Sequence, residues 1–76
     1  MRFYGEAKER ARRAKNLKAL MEAHHITATN LAKLTGYSRD RIYDWQNGRT
    51  YIDEDIASAI VAAMNSISEA KVSDII

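Results

Sequence analysis

Apolar residues recur at intervals of three and four along the chain and nowhere alternate strictly, so the pattern predicts helices throughout. Between about Glu6 and His24, the residues Ala7, Ala11, Ala14, Leu17, Leu20, Met21 and His24 fall near one face. That spacing describes an amphipathic helix with its apolar stripe turned inward. Its other faces carry Lys8, Arg10, Arg12, Arg13, Lys15 and Lys18. The early part of the stripe is alanine, which lets the helix lie close against a neighbour.

Two stretches then repeat one local design. In ITATNL, Thr27 is placed as an N-cap, with Ile26 before it and Leu31 at the fourth helical position. In YSRDRI, Ser38 takes that place, between Tyr37 and Ile42. A hydroxyl at each cap accepts from a free backbone N–H of the first turn, and the flanking apolar pair sets the angle at which the chain arrives. Gly36 and Gly48 stand where the two helices must stop, at positions suited to a left-handed residue. Short helices over about 28–35 and 39–46, joined by a tight turn through Gly36 and Tyr37, form a helix-turn-helix unit.

A further helix is expected from about Glu54 to Met64, capped by Asp53, with Glu54 and Asp55 at its positive end. Ile56, Ile60, Ala63 and Met64 supply its apolar face. The remaining stretch, NSISEAKVSDII, predicts a short fifth helix within residues 65–76, capped by Ser66 or Ser68. The expectation is therefore one all-α domain over residues 1–76, compact and five-helical, with a basic helical extension at 1–15.

Composition narrows the class. Seventy-six residues hold one domain at most, and a chain this short buries only about 60 % of its unfolded surface. It contains no cysteine and no proline, which removes disulfides and thiolate metal sites. No stretch reaches the roughly 18 apolar residues of a membrane span, and the N-terminus lacks a signal-peptide core, so a cytoplasmic location is expected, in a bacterium or in the host of a phage. Charge is unevenly spread: residues 1–49 hold 11 Lys/Arg against 5 Asp/Glu, and residues 50–76 hold 1 against 5. The basic part can face a polyanion while the acidic end faces away.

Other chemistries find little support. His24 and His25 are adjacent, and neighbouring helical residues point about 100° apart, a poor chelate. With no cysteine and no third histidine, neither a metal nor any other cofactor is expected. No nucleophile–base–orienter set is visible, and Ser38 and Thr27 are accounted for as caps, so no enzymatic activity is expected.

The stretch NLKALMEAHHITATNLAKLTGYSRDRIYDWQNGRT resembles the helix-turn-helix domain of the Cro and phage-repressor family, across about Asn16 to Met64. Leu31-Ala32, the Gly36-Tyr37-Ser38 turn, Ile42 and Trp45 as inward residues, and Asn47-Gly48-Arg49 carry the resemblance, in order and without a gap. Two positions differ. Thr35 precedes the turn glycine, where the family often has an apolar residue. Ala28 stands where the family often has a glutamine that contacts phosphate. The resemblance implies a lambda-repressor-like fold whose second helix-turn-helix element enters the DNA major groove.

On that reading Arg39, Asp40, Arg41, Tyr43, Asp44 and Gln46 face outward. Arg39 is the leading base reader, since a guanidinium can grip guanine O6 and N7 together. Asp40 and Asp44 either accept from cytosine N4 or only tune the helix, Asp40 through the helix dipole and Asp44 through a pair with Arg41. Tyr43 suits a thymine methyl or a phosphate, unless it is a half-buried aromatic. Phosphate contacts are assigned to Arg13, Lys15, Thr27, Thr29, Asn30, Ser38, Arg41, Asn47 and Arg49. Ile67, Val72, Ile75 and Ile76 need cover, which suggests a homodimer.

The expected function is a sequence-specific regulator of transcription. A repressor of phage or mobile-element type would bind a palindromic operator in double-stranded DNA. Rival readings are an antitoxin, which would use the acidic C-terminal end to hold a basic toxin, and a protein-interaction module on the same fold, which Asp40, Asp44 and Ala28 would favour.

Overall fold

A computed structural model describes residues 7–66 and 69–76. Four α-helices are present among them: α1 (Ala7–Ala23), α2 (Ala28–Thr35), α3 (Arg39–Gln46) and α4 (Glu54–Met64). All four lie close to where the apolar spacing puts them. α1 packs on α3, and α2 packs on both α3 and α4. None of these helices is long and apolar enough to cross a membrane.

Three of the predicted caps form, whereas Ser66, expected to cap a fifth helix, donates its hydroxyl to the Ala63 carbonyl at 2.8 Å. Thr27 accepts from the Asn30 N–H at 3.1 Å, Ser38 from Arg41 at 3.2 Å and Asp53 from Ile56 at 2.8 Å. Each satisfies one of the free N–H groups of a first turn, typically worth about 1 kcal/mol. Gly36 ends α2 at φ 84°, with its N–H on the Ala32 carbonyl. Thr35, the unusual residue beside it, has a specific task. Its hydroxyl donates to the Leu31 carbonyl at 2.8 Å and accepts from the Tyr37 N–H at 3.2 Å, so it ties the helix end to the turn.

Two helices end in the same six-residue closure, in which one N–H reaches back five residues and its predecessor reaches back three. In α1, Ile26 donates to Met21 at 2.8 Å and His25 to Glu22 at 3.1 Å. His25 sits in the left-handed position at φ 55°, where glycine would be expected. In α3, Arg49 donates to Asp44 at 2.9 Å and Gly48 to Trp45 at 3.3 Å, with Gly48 at φ 74°.

One core joins all the elements. Leu17, Met21, Leu31, Ile42, Trp45, Ile52, Ile60 and Ile75 are almost wholly buried. Ile42 and Trp45 are the inner side of α3, as their spacing requires, and Tyr37 meets Trp45 edge-on with centroids 5.0 Å apart. Ile52, in the connection between α3 and α4, has no helical periodicity to reveal its burial.

The C-terminal segment corrects two expectations. In place of a fifth α-helix, the described residues form a single 3₁₀ turn, Val72–Asp74. Its opening is closed by Asp74, whose carboxylate accepts from the Lys71 N–H at 2.9 Å. Ile75, expected to face a second copy, is 0 % exposed within its own chain. The turn packs against α1 and α4, and Asn16 and Arg12 donate to the main-chain oxygens of Ile75 and Ile76 at 2.9 and 2.8 Å. The helix capped by Ser68, the contact by Ile67 and the first six residues of the basic extension fall outside the described residues.

Candidate nucleic-acid interface

The solvent side of α3 follows from its inner side. With Ile42 and Trp45 turned into the core, Arg39, Asp40, Arg41 and Tyr43 are exposed, and Asp44 is half-exposed. Tyr43 shows 45 % of its surface, far more than a core aromatic would. Among the described residues, Arg39, Asp40 and Tyr43 make no side-chain hydrogen bond or ion pair. These three are the groups on α3 left open for a ligand.

The other outward residues of α3 are already engaged. The Arg41 guanidinium lies over the rings of Tyr37 and Trp45, 5.7 and 6.0 Å from their centroids. Stacked in this way it keeps its N–H groups at its edge, free to meet an anion. Asp44 pairs with Arg49 at 3.3 Å, not with Arg41 as the spacing suggested. Gln46, expected to face outward, is half-buried and donates to the Met21 sulfur at 3.2 Å, which fastens α3 to α1.

Around α3 lies a rim of donors. Thr27 and Ser38 accept main-chain N–H groups as caps, and each hydroxyl keeps its own proton to donate. Thr29 and Asn30 are exposed at the start of α2, and Asn47 at the end of α3. Free N–H groups at the two helix starts add partial positive charge, favourable to phosphate. Ala28 is buried against the core, so the position that lacks a phosphate-binding side chain contributes packing.

The basic helix α1 divides between structural and open cations. Arg13, expected on phosphate, has a side chain that is only 12 % exposed. Its Nη1 donates to the Ile52 carbonyl at 2.7 Å, and its Cζ lies 4.6 Å from the centre of the Tyr51 ring. Its Nε stands 3.9 Å from Glu9, too far for a hydrogen bond, and is buried without one. Arg13 thus holds the α3–α4 connection against α1 and is not a free surface cation. The missed partner was Tyr51, and a half-apolar loop, Tyr51-Ile52, was the signal that something must cover it.

Lys15 and Lys18 are exposed. Arg10 reaches the Gly48 carbonyl at 3.3 Å, and a Cβ on Gly48 would touch Ala11 and Ala14 at 3.6 to 3.8 Å. That edge of α1 therefore borders the end of α3. Turning about 100° per residue, the edge continues outward through Lys18 and then Lys15, while Arg12 and Asn16 on the opposite edge hold the C-terminal segment. By rotation about the helix axis, Lys18, not singled out from the sequence, follows that edge more closely than Lys15.

The arrangement can place an open guanidinium and an aromatic ring against base edges, with a rim of donors for the flanking phosphates. Among the described residues no group of three metal-ligating side chains is assembled. A family model described as the Cro/C1-type HTH DNA-binding domain matches residues 16–66. Comparison with curated proteins and with solved structures gave no match.

Proposed function

Since the chain belongs to the Cro/C1-type helix-turn-helix DNA-binding domains, a family of transcription regulators, we propose that it is a sequence-specific repressor of phage or mobile-element type, acting as a dimer on a palindromic operator. The observation that carries this reading is the open outer face of α3, where Arg39, Asp40 and Tyr43 stand exposed and unpaired beside two capped helix starts. Arg39 grips a guanine, Tyr43 meets a thymine methyl, and Asp40 accepts from a cytosine amino group. Lys15, Thr27, Thr29, Asn30, Ser38, Arg41, Asn47 and Arg49 fix the register on phosphates.

A second copy is needed because one small unit reads too few base pairs for useful specificity, and two-fold symmetry gives half-sites about 34 Å apart. Val72 and Ile76 are only partly buried and remain for that contact, whereas Ile75 is taken by the core. Occupancy of the operator then blocks polymerase.

Selection of bound sites from a random double-stranded library tests binding, symmetry and spacing together. An inverted repeat is expected, bound with an affinity that falls steeply as salt rises. Recovery of random sequence at moderate salt overturns the repressor reading.

A further inference from the structure

The closure at the end of α3 sets Asp44 and Arg49 side by side. Arg49 donates its main-chain N–H to the Asp44 carbonyl at 2.9 Å, Gly48 turns the chain back at φ 74°, and the two side chains meet at 3.3 Å. The same closure at the end of α1 pairs Met21 with Ile26, both buried and apolar. An apolar contact between these two positions is the usual accompaniment of the motif. In α3 the backbone geometry is kept, but the contact is an ion pair on the face that carries Arg39 and Tyr43. Both of its side chains are well exposed, at 41 % for Asp44 and 70 % for Arg49. Such a pair adds little to stability.

We propose that Asp44 sets the affinity of the DNA face by acting through Arg49: it occupies the guanidinium in the free protein, and a DNA phosphate must displace it. The inference rests on the DNA-binding reading above. Any duplex offers phosphates, so Asp44 lowers the affinity for all sequences by a similar factor. Specificity is a difference of affinities, so a common factor leaves the preference between sites unchanged; what Asp44 sets is occupancy, and at a given protein concentration only duplexes that also satisfy Arg39 and its neighbours stay bound. Asp44 then reads no base. The open carboxylate on α3 is Asp40 alone, which carries no ion pair among the described residues.

The test is binding of Asp44→Asn to random-sequence duplex and to its selected site, across salt concentrations. An exposed pair of this kind corresponds to about a two- to fivefold gain in affinity for random duplex, with a salt slope steeper by up to about one. Base preference at every position stays as in the wild type. The gain must depend on Arg49. In Asp44→Asn/Arg49→Ala it falls to the gain expected from removing a negative charge alone, the size seen for Asp40→Asn, whose own gain is unchanged by Arg49→Ala. A changed preference at a single base pair in Asp44→Asn makes Asp44 a base reader and overturns the proposal. So does a gain that is undiminished without Arg49. Wild-type protein that shows no salt-dependent binding to any duplex overturns the DNA-binding reading itself, a result distinct from either of these.

Discussion

The Arg13 guanidinium donates to the carbonyl of Ile52, 39 residues along the chain, at 2.7 Å. This bond joins the basic face of α1 to the connection that follows α3. The same side chain covers the Tyr51 ring. It fixes the far end of the DNA-facing unit against the helix that supports it, and a cation that looked like a phosphate contact proves to be part of the frame.

Arg13→Ala is accordingly expected to lower stability by about 2 kcal/mol, from a charge-assisted hydrogen bond to a main-chain oxygen and a stacked ring. For a domain of this size each kcal/mol moves Tm by about 4–8 °C. Thermal unfolding checks the loss. DNA binding measured well below the melting range should keep its salt slope, and a slope reduced by about one would return Arg13 to the phosphate contacts.

The C-terminal segment gives a second expectation. Ile75 is fully buried between α1 and α4, and the main-chain oxygens beside it are held by Asn16 and Arg12. Ile75→Ala removes buried volume and should cost about 2–5 kcal/mol, a large part of a small domain's stability. Ile75→Asp should leave the chain largely unfolded, as seen by circular dichroism. If Ile75→Asp stayed folded and only changed from dimer to monomer in sedimentation, the burial of Ile75 within its own chain would be refuted.

Features set by neighbours in sequence were legible before the structure. Thr27, Ser38 and Asp53 cap helices because a cap needs only a side-chain oxygen and the next three residues. Gly36 and Gly48 were legible because a left-handed helix end favours glycine. Ile42 and Trp45 followed from their spacing, and the outer face of α3 followed from them. Features set by distant parts of the chain were not legible. Arg13 is committed by Tyr51 and Ile52, Gln46 by Met21, and Ile75 by Asn16. The final helix was expected from apolar spacing. In the structure Asn65 accepts from the Ala70 N–H at 2.7 Å and Asp74 from the Lys71 N–H. These local side-chain bonds compete with a regular helix.

His25 supplies a third expectation. It holds φ 55° at the end of α1, a region that costs a side-chain-bearing residue about 1–2 kcal/mol and costs glycine almost nothing. Glycine also gains freedom in the unfolded chain, so His25→Gly should stabilise by a net of about 0.5–1 kcal/mol. A melting point raised by several degrees, with His25→Ala close to wild type, is the expected result. A glycine variant no more stable than the alanine variant would show that the histidine side chain itself supports the turn.

The last expectation separates reading from anchoring on the DNA face. Arg39 is exposed at the start of α3 with no partner among the described residues, so its removal should leave folding intact. Arg39→Ala is expected to cost about 1–3 kcal/mol on the selected site, to change binding to random duplex much less, and to relax preference at one base pair. Lys15→Ala and Lys18→Ala, on the edge of α1 that borders Gly48, should instead weaken every sequence alike and each reduce the salt slope by about one. Titrations of the three variants against the selected site, a single-base variant of it and random duplex distinguish the two behaviours. A uniform loss from Arg39→Ala would place that guanidinium on phosphate and leave Tyr43 and Asp40 as the only open groups of α3 able to read a base.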